Sequence, residues 1–377
     1  NMTEIGMTLK KKKERIDISS LSDLKKILKR DGYIVNKLDE DEFKEEMKRI
    51  FNINEEMVEN LYTIIEEDNI IYRSKDILEF IDYIEKVVLF EKEHNKLCKK
   101  ISKFKKVNIT RVEYDRVVSI QDDVEHIIKA INKIKDSISE TINEKEIARI
   151  ETLEAEISKE YVYAKDIELL KKMILNSSEK IKENYDDKNK IKTISMEIPT
   201  EIKTTYIKPT KGTIEYYQHL KNNIPRMKRL RKNIDKYIEF SENEVGTISI
   251  NQSDALQDSI NIAVAIYNGK EFKAVSGSDE VEGFCMAKPI GQVAFKSSKV
   301  NKLGKLGIGY NRINDSEKKI LEEINKQIES NELEDKGELV LYSKWQPCPS
   351  CYYVISQFCE KYPRIKFKVK YRNKYGE

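Results

Sequence analysis

The sequence predicts a two-part chain, an all-α N-terminal region followed by a C-terminal α/β layer domain. Three observations carry that reading. Proline first occurs at Pro199, and before Thr210 the only glycines are Gly6 and Gly32, so the first half lacks the residues that break helices. From about residue 250 the texture changes to short β-rich runs. From residue 315 onward, strand-like runs alternate with helix-length amphipathic segments, the pattern of a sheet with helices packed on it.

Within the N-terminal region Ile120, Val124, Ile127, Ile131, Ile134 and Ile138 recur at spacings of four and three, with mostly polar residues between them. That is an amphipathic helix with a coiled-coil-like seam. Further long helices are expected over EEMVENLYTIIEE, ILEFIDYIEKVVLFEKEHNKL and KEIARIETLEAEISKEYVYAKDIELLKKMIL. Between about 185 and 212 the stripe is lost and Pro199 and Pro209 appear, which reads as a linker. A helix follows over IEYYQHL, with a break at Pro225, and then RMKRLRKNIDKYIEF. In this most basic segment Arg226, Lys228, Arg229, Arg231 and Lys232 are candidates for phosphate contact, against the plainer reading of a solvated charged face. The expected divisions are 1–184 helical, 185–245 linker with a basic helix, and 246–377 α/β.

In that last part INIAVAIY and KEFKAVSG flank Asn268-Gly269, the strongest short hairpin signal. A glycine-containing stretch to Tyr310 leads to a helix over DSEKKILEEINKQIES, a strand GELVLYSKW, a helix PSCYYVISQFCEKY and a strand RIKFKVKYR. The order is β-β-α-β-α-β.

Bulk charge excludes some functions. The 69 basic and 66 acidic side chains nearly cancel, so no whole-chain field draws the protein to nucleic acid or an anionic membrane, and any such contact is local. The apolar runs are short and broken by charge, and the basic stretch Lys10 to Arg15 leads into polar sequence. We therefore expect no membrane span, no Sec signal peptide and a cytoplasmic location, in the producing or a target cell. Five cysteines in so long a chain argue against a disulfide framework and for reduced thiols.

Cys348 and Cys351 in WQPCPSCYYVISQF then need another role. In a thioredoxin-like redox pair, tryptophan would adjoin the first cysteine, whereas Trp345 lies three residues before it. A zinc ribbon needs a second pair, and Cys98, Cys285 and Cys359 offer none. Inert buried cysteines remain open. A fourth reading comes from Asn314-Asp315-Ser316-Glu317, a second loop-to-helix start about thirty residues upstream. Two helix N-termini facing one point favour anionic ligands for a cation, and Asp315, Cys348 and Cys351 with one open position suit a catalytic zinc. Glu317 stays free to move protons.

An H/C-x-E helix start followed by P-C-x-x-C is the signature of zinc-dependent nucleoside and nucleobase deaminases, and this chain offers D-S-E at 315–317 and P-C-P-S-C at 347–351. The C-terminal part resembles the cytidine-deaminase-like fold. Its D-S-E-K-K-I-L and P-C-P-S-C-Y-Y-V-I-S-Q-F look like the bacterial toxin deaminases, over roughly residues 250–377. The resemblance implies Zn2+ held by Asp315, Cys348 and Cys351, with Glu317 as the catalytic proton carrier. It further implies a substrate-binding role for Trp345, whose W-Q-P-C is similar to the W-S-P-C of AID/APOBEC-type enzymes, and an immunity protein as partner. Ser276, Gly277 and Ser278 are candidates to approach the base or sugar. Asp315 departs from the family's His or Cys and can instead be a helix N-cap, and Glu317 a first-turn acid on a solvated face. The expected function is deamination of a nucleobase, cytosine in DNA or RNA before any other, by a toxin, effector or defence enzyme. Free nucleotides are the alternative substrate, and a non-catalytic helical interaction protein with a zinc-binding domain is the alternative class.

Overall fold

The computed structural model describes residues 14–36, 39–67, 71–113, 123–239, 244–257, 260–278, 280–301 and 303–375. Ile120 of the expected seam lies outside them. Along the chain run β1 (Ile16–Ile18), α1 (Leu21–Arg30), α2 (Glu40–Phe51), α3 (Glu55–Glu67), β2 (Tyr72–Ser74), α4 (Ile77–Ile101) and β3 (Lys106–Val112). Then come α5 (Val124–Ile138), β4 (Ser139–Thr141), α6 (Glu144–Ser158), α7 (Ala164–Leu175), β5 (Ile181–Asp186), β6 (Ile191–Glu197), α8 (Ile214–Asn233) and β7 (Thr247–Asn251). The last elements are β8 (Ile262–Tyr267), β9 (Lys270–Val275), β10 (Lys299–Val300), β11 (Tyr310–Asn311), α9 (Ser316–Glu329), β12 (Gly337–Trp345), α10 (Pro349–Lys361) and β13 (Ile365–Asn373).

The chain divides into two compact units that do not follow the expected boundaries at 184 and 245. One comprises Asn1–Asn108, Glu168–Lys182 and Ser195–Ser249; the other comprises Ile109–Ile167, Glu183–Ile194 and Ile250–Glu377. The first half is helix-rich but not all-helical, since β1 to β6 fall before residue 198. The expected linker holds the end of β5 and all of β6, in which Ile194 and Met196 alternate inward as a half-buried strand requires. A four-stranded sheet has the order β5-β6-β3-β7. The segment expected as one helix over 145–175 is two, α6 and α7; between them Tyr163 bridges Leu256 in a parallel pair.

In the first unit α4 and α8 pack together. Helix α8 runs through Pro225 rather than breaking there. A proline in a helix interior costs about 3 kcal/mol, but Tyr216, Tyr217, Leu220, Ile224, Met227 and Leu230 all bury along one stripe. Burial worth roughly 1.5–3 kcal/mol for each large side chain outweighs that cost. Tyr72 stacks on Tyr83 at 4.0 Å, with Tyr217 edge-on to both. His94 is buried in α4, its ring nitrogens 2.9 Å from Tyr206 Oη and 3.1 Å from Ile202 O.

The second unit is built on a five-stranded sheet of order β4-β13-β12-β8-β9. Strands β8 and β9 form the hairpin that Asn268-Gly269 announced; the φ of +49° and +76° at these residues is what a type I′ turn demands. β12 is antiparallel to β8 and parallel to β13, which is parallel to β4. The β-β-α-β-α-β run is present, with the two-residue strands β10 and β11 interposed. Both sheet faces are covered, which explains the uninterrupted apolar run Ile262 to Ile266. Ala263, Ala265, Tyr267, Leu339 and Leu341 share one core with α9, α10 and the α5 residues Ile127, Ile131 and Ile138. Ile262, Val264, Val275 and Tyr342 share another with the α6 residues Ile150, Leu153 and Ile157. The isoleucine seam thus lies on α10 and β13 rather than in a coiled coil. The apolar spacing fixes the helix and its sticky face, but not the surface that face meets.

Burial lowers the pKa of His94 and of His219 below the ordinary histidine value. Each is held neutral when folded and binds its proton more readily when unfolded. Their stabilising contribution is therefore complete above about pH 6.5 and is lost as pH falls below it. The urea midpoint of the wild type should drop between pH 7.5 and 5.5, and His94→Gln should show a shallower drop over the same interval.

Candidate functional site

The site forms where α9 and α10 begin side by side. Asp315 and Cys348 are the N-cap residues of these helices, both with extended backbone, and neither side chain accepts from a backbone N–H of its own first turn. An aspartate N-cap ordinarily accepts from a backbone N–H of that turn. Here Asp315 Oδ2 instead lies 3.2 Å from both Cys348 Sγ and Cys351 Sγ, and the two sulfurs are 3.5 Å apart. Pro349 at the first helical position gives up no N–H the helix needs, and fixes the turn that brings Cys351 back under Cys348. The three donor atoms lie within 4.8 Å of one another, the one such group of three metal-type ligands among the described residues.

Glu317 stands one step further in and is 2% exposed. Its Oε2 is 3.4 Å from Cys351 Sγ and accepts from Ser316 Oγ at 2.9 Å, while Oε1 accepts from Asn261 Nδ2 at 2.8 Å. It is no solvated first-turn acid. Ser343 Oγ approaches Oε1 at 3.4 Å and donates to Trp345 O at 2.6 Å. Asn261 is the hub of this network: its Oδ1 accepts from Trp345 N at 3.0 Å, and its backbone N donates to Ser276 Oγ at 2.7 Å. Sequence reasoning missed Asn261, Ser316 and Ser343. The available signal was strand parity, since Asn261 continues the Ala263, Ala265, Tyr267 face and Ser343 continues Leu339, Leu341, both turned toward α9.

Trp345 ends β12, half-buried, two residues before the proline that leads into Cys348. Gly277 donates its N–H to Asn314 O at 3.0 Å, and its carbonyl accepts from Lys319 Nζ at 2.7 Å, so it is pinned beside Asp315; Ser278 is exposed. The five basic residues of α8 belong to the first unit and split by helical periodicity. Lys228, Arg231 and Lys232 line one groove, whereas Arg226 bonds Asn223 and Arg229 is half-buried elsewhere on the helix.

The thiols are roofed by the β10–β11 pair: Val300 packs on Cys348 and Cys351, with Leu306 and Tyr375 against them. Gly309, at φ +97°, permits this, because a Cβ there would stand 2.7 Å from Asn301 Cα and Val300 O. Arg312 ties the roof together, donating to Val300 O, Asn301 O and Tyr375 Oη.

Four acidic groups share this enclosed space. Burial raises the Glu317 carboxyl, and the neighbouring Asp315 charge adds to it. Burial likewise raises Asp315, moderated by the Arg312 cation. Cys351 is pushed well up by burial and by Cys348. The bond to Cys351 pulls Cys348 down, yet burial and the two carboxylates outweigh it. Burial disfavours the ionised form of each of these groups, and a cation at their centre would favour it.

The first turns of α9 also brace the surrounding loops. Lys318 and Glu322, each 2% exposed, pair at 2.9 Å; Lys318 donates to Phe295 O, and Glu322 accepts the N–H groups of Ala294 and Phe295. Removing one member strands the other charge. Glu322→Ala should lower unfolding stability by about 3–5 kcal/mol, and Lys318→Met with Glu322→Met should recover most of it, read from urea unfolding curves.

Compared with known proteins, residues 245–373 match the model of the toxin deaminases, described as the BURPS668_1122 family of deaminases. Neither the curated proteins nor the solved structures gave a significant match. The motifs at 315–317 and 347–351 lie inside the matched region, and the family it matches is one of deaminases. The C-terminal region of this chain, over residues 245–373, matches the toxin-deaminase family.

Proposed function

We propose that this domain is a zinc-dependent deaminase acting on a nucleobase, cytosine in nucleic acid before any other, in the service of a toxin or effector. The observation that carries the reading is the turn of Asp315 away from its own helix toward both cysteines, with Glu317 buried beside them. The donor set fits zinc. Two thiolates on a tetrahedral zinc with Zn–S near 2.3 Å stand about 3.8 Å apart, and the separations here are 3.5 Å between sulfurs and 3.2 Å from each sulfur to the carboxylate oxygen. Two thiolates and a carboxylate give the charge of a three-thiolate site.

A zinc ion held by Asp315, Cys348 and Cys351 supplies a Lewis acid that brings water to nucleophilic strength near neutral pH. The rest falls to the chain. Glu317, its carboxyl raised by burial, takes a proton from the attacking water and delivers it to the ring nitrogen adjoining the amine-bearing carbon. It then carries the second proton to the departing amine. One water is consumed, one ammonia leaves, the carbon exchanges C–N for C–O, and nothing is oxidised or reduced. The Asn261 amide fixes Oε1 of Glu317, leaving Oε2, on the thiol side, to move the proton. Trp345 offers a wall on which a base can stack, and the pinned Ser276–Gly277 backbone fixes one edge of the space beside Asp315.

Mutations separate these roles. Glu317→Ala should abolish turnover, by at least about 100-fold as expected for loss of a general acid–base, while zinc content by elemental analysis stays near one per chain; activity surviving in that variant removes Glu317 from the mechanism. Asp315→Ala should lose zinc, whereas Asp315→Cys should retain it as a three-thiolate site. Mass spectrometry of single-stranded DNA, RNA and free cytidine nucleotides names the substrate through the mass gained when uracil replaces cytosine.

A further inference from the structure

Helices α4 and α8 of the first unit frame a groove of about 600 Å3 lined by Lys96, Lys99, Lys100, Lys103, Lys228, Arg231 and Lys232. The convergence comes from two helical stripes. Positions 96, 99, 100 and 103 share one face of α4 and the turn that follows it, and 228, 231 and 232 share one face of α8. Three of these cations are occupied: Lys100 bonds Arg231 O and Asp235, Arg231 pairs with Glu93 at 2.8 Å, and Lys96 lies 3.6 Å from Glu93. Lys99, Lys103, Lys228 and Lys232 have no acidic partner among the described residues and are all exposed. The Arg231 Nε–H is buried with no hydrogen-bond partner among them.

Like charges drawn into one groove repel, and no part of the packing of α4 on α8 needs the four exposed lysines, since that contact is apolar and lies beneath them. We propose that this groove binds the phosphate backbone of a nucleic acid strand. The polymer is favoured over a small phosphate because the cations are spread along an open groove. The α4 stripe alone extends about 10 Å at 1.5 Å per residue, a length that meets two or more successive phosphates. Nothing in the groove reads bases, so binding is sequence-independent and electrostatic. The proposal stands apart from the deaminase reading, because the groove belongs to the other unit and its binding is measured without turnover.

The test uses the full chain carrying Glu317→Ala and a fluorescein-labelled 20-nucleotide single strand, as DNA and as RNA, read by anisotropy. With four lysines on phosphates, affinity should weaken about 50-fold between 50 and 200 mM salt, a log–log slope near −3. Replacing Lys99, Lys103, Lys228 and Lys232 by Gln should flatten that slope to near zero with the melting temperature unchanged, and replacing the same four by Arg should restore it. An unchanged slope in the Gln variant overturns the proposal. So does displacement of the oligonucleotide by polyglutamate at equal charge, or by inorganic tripolyphosphate at equal phosphate concentration, since either shows a groove made for another anion. Absence of deamination by the wild-type chain, with binding intact, would count against the deaminase reading alone.

Discussion

The second unit is organised around one electrostatic constraint: two helix N-termini and four acidic side chains meet at one buried point. The N-caps Asp315 and Cys348 leave their own helices uncapped and face each other. The free N–H groups and dipoles of α9 and α10 are directed where negative charge collects. Taken singly, each choice is costly, since buried thiols and carboxyls disfavour ionisation and an uncapped helix start forgoes about 1 kcal/mol. Together they make a candidate ligand set that a divalent cation would complete. The spacing depends on β12, whose end delivers Trp345 and the Cys348 turn, and on its antiparallel pairing with β8, which sets Asn261 beside Trp345, from where its amide reaches Glu317.

Everything around that point limits its freedom. Lys319 holds Val275 O and Gly277 O, Lys318 and Glu322 hold the loop at 294–295, and Arg312 holds the β10–β11 roof to Tyr375. The two lysines commit their charged ends to backbone carbonyls and Glu322 its carboxylate to backbone N–H groups, so α9 acts as a rigid bracket for the loops at 275–277 and 294–295. The matched family region begins at residue 245, yet the sheet it contains is finished by residues outside it. β4 adds an edge strand beside β13, and α5 and α6 cover opposite faces. A parallel pair buried on both faces needs such cover, and this chain draws it from its N-terminal half.

Much of the site was legible because its chemistry imposes local sequence patterns. The Asn268-Gly269 turn, the apolar stripe of α9 and the spacing of Cys348 from Cys351 each have a short-range cause, and each has its counterpart in the structure. What escaped was set at long range. Asn261 is an unremarked polar residue at the edge of an apolar strand until β12 lies beside it. The basic groove was half visible in α8 and invisible in α4, since Lys96, Lys99, Lys100 and Lys103 look like an ordinary solvated end until two helices pack. The isoleucine seam of α5 and the helix through Pro225 show the same effect, with tertiary burial deciding what local propensity leaves open. The division at residue 184 was drawn from composition, which does not register that a chain leaves a unit and returns to it.

In the proposed site two sulfurs and a carboxylate oxygen surround a zinc ion. X-ray absorption at the zinc edge of the purified full-length protein addresses it directly, because sulfur and oxygen shells differ in distance and scattering. The proposed site requires two sulfur neighbours at about 2.3 Å and light-atom neighbours at about 2.0–2.2 Å, the carboxylate of Asp315 among them. A shell of four sulfurs, or protein that takes up no zinc with both thiols reduced, would contradict it.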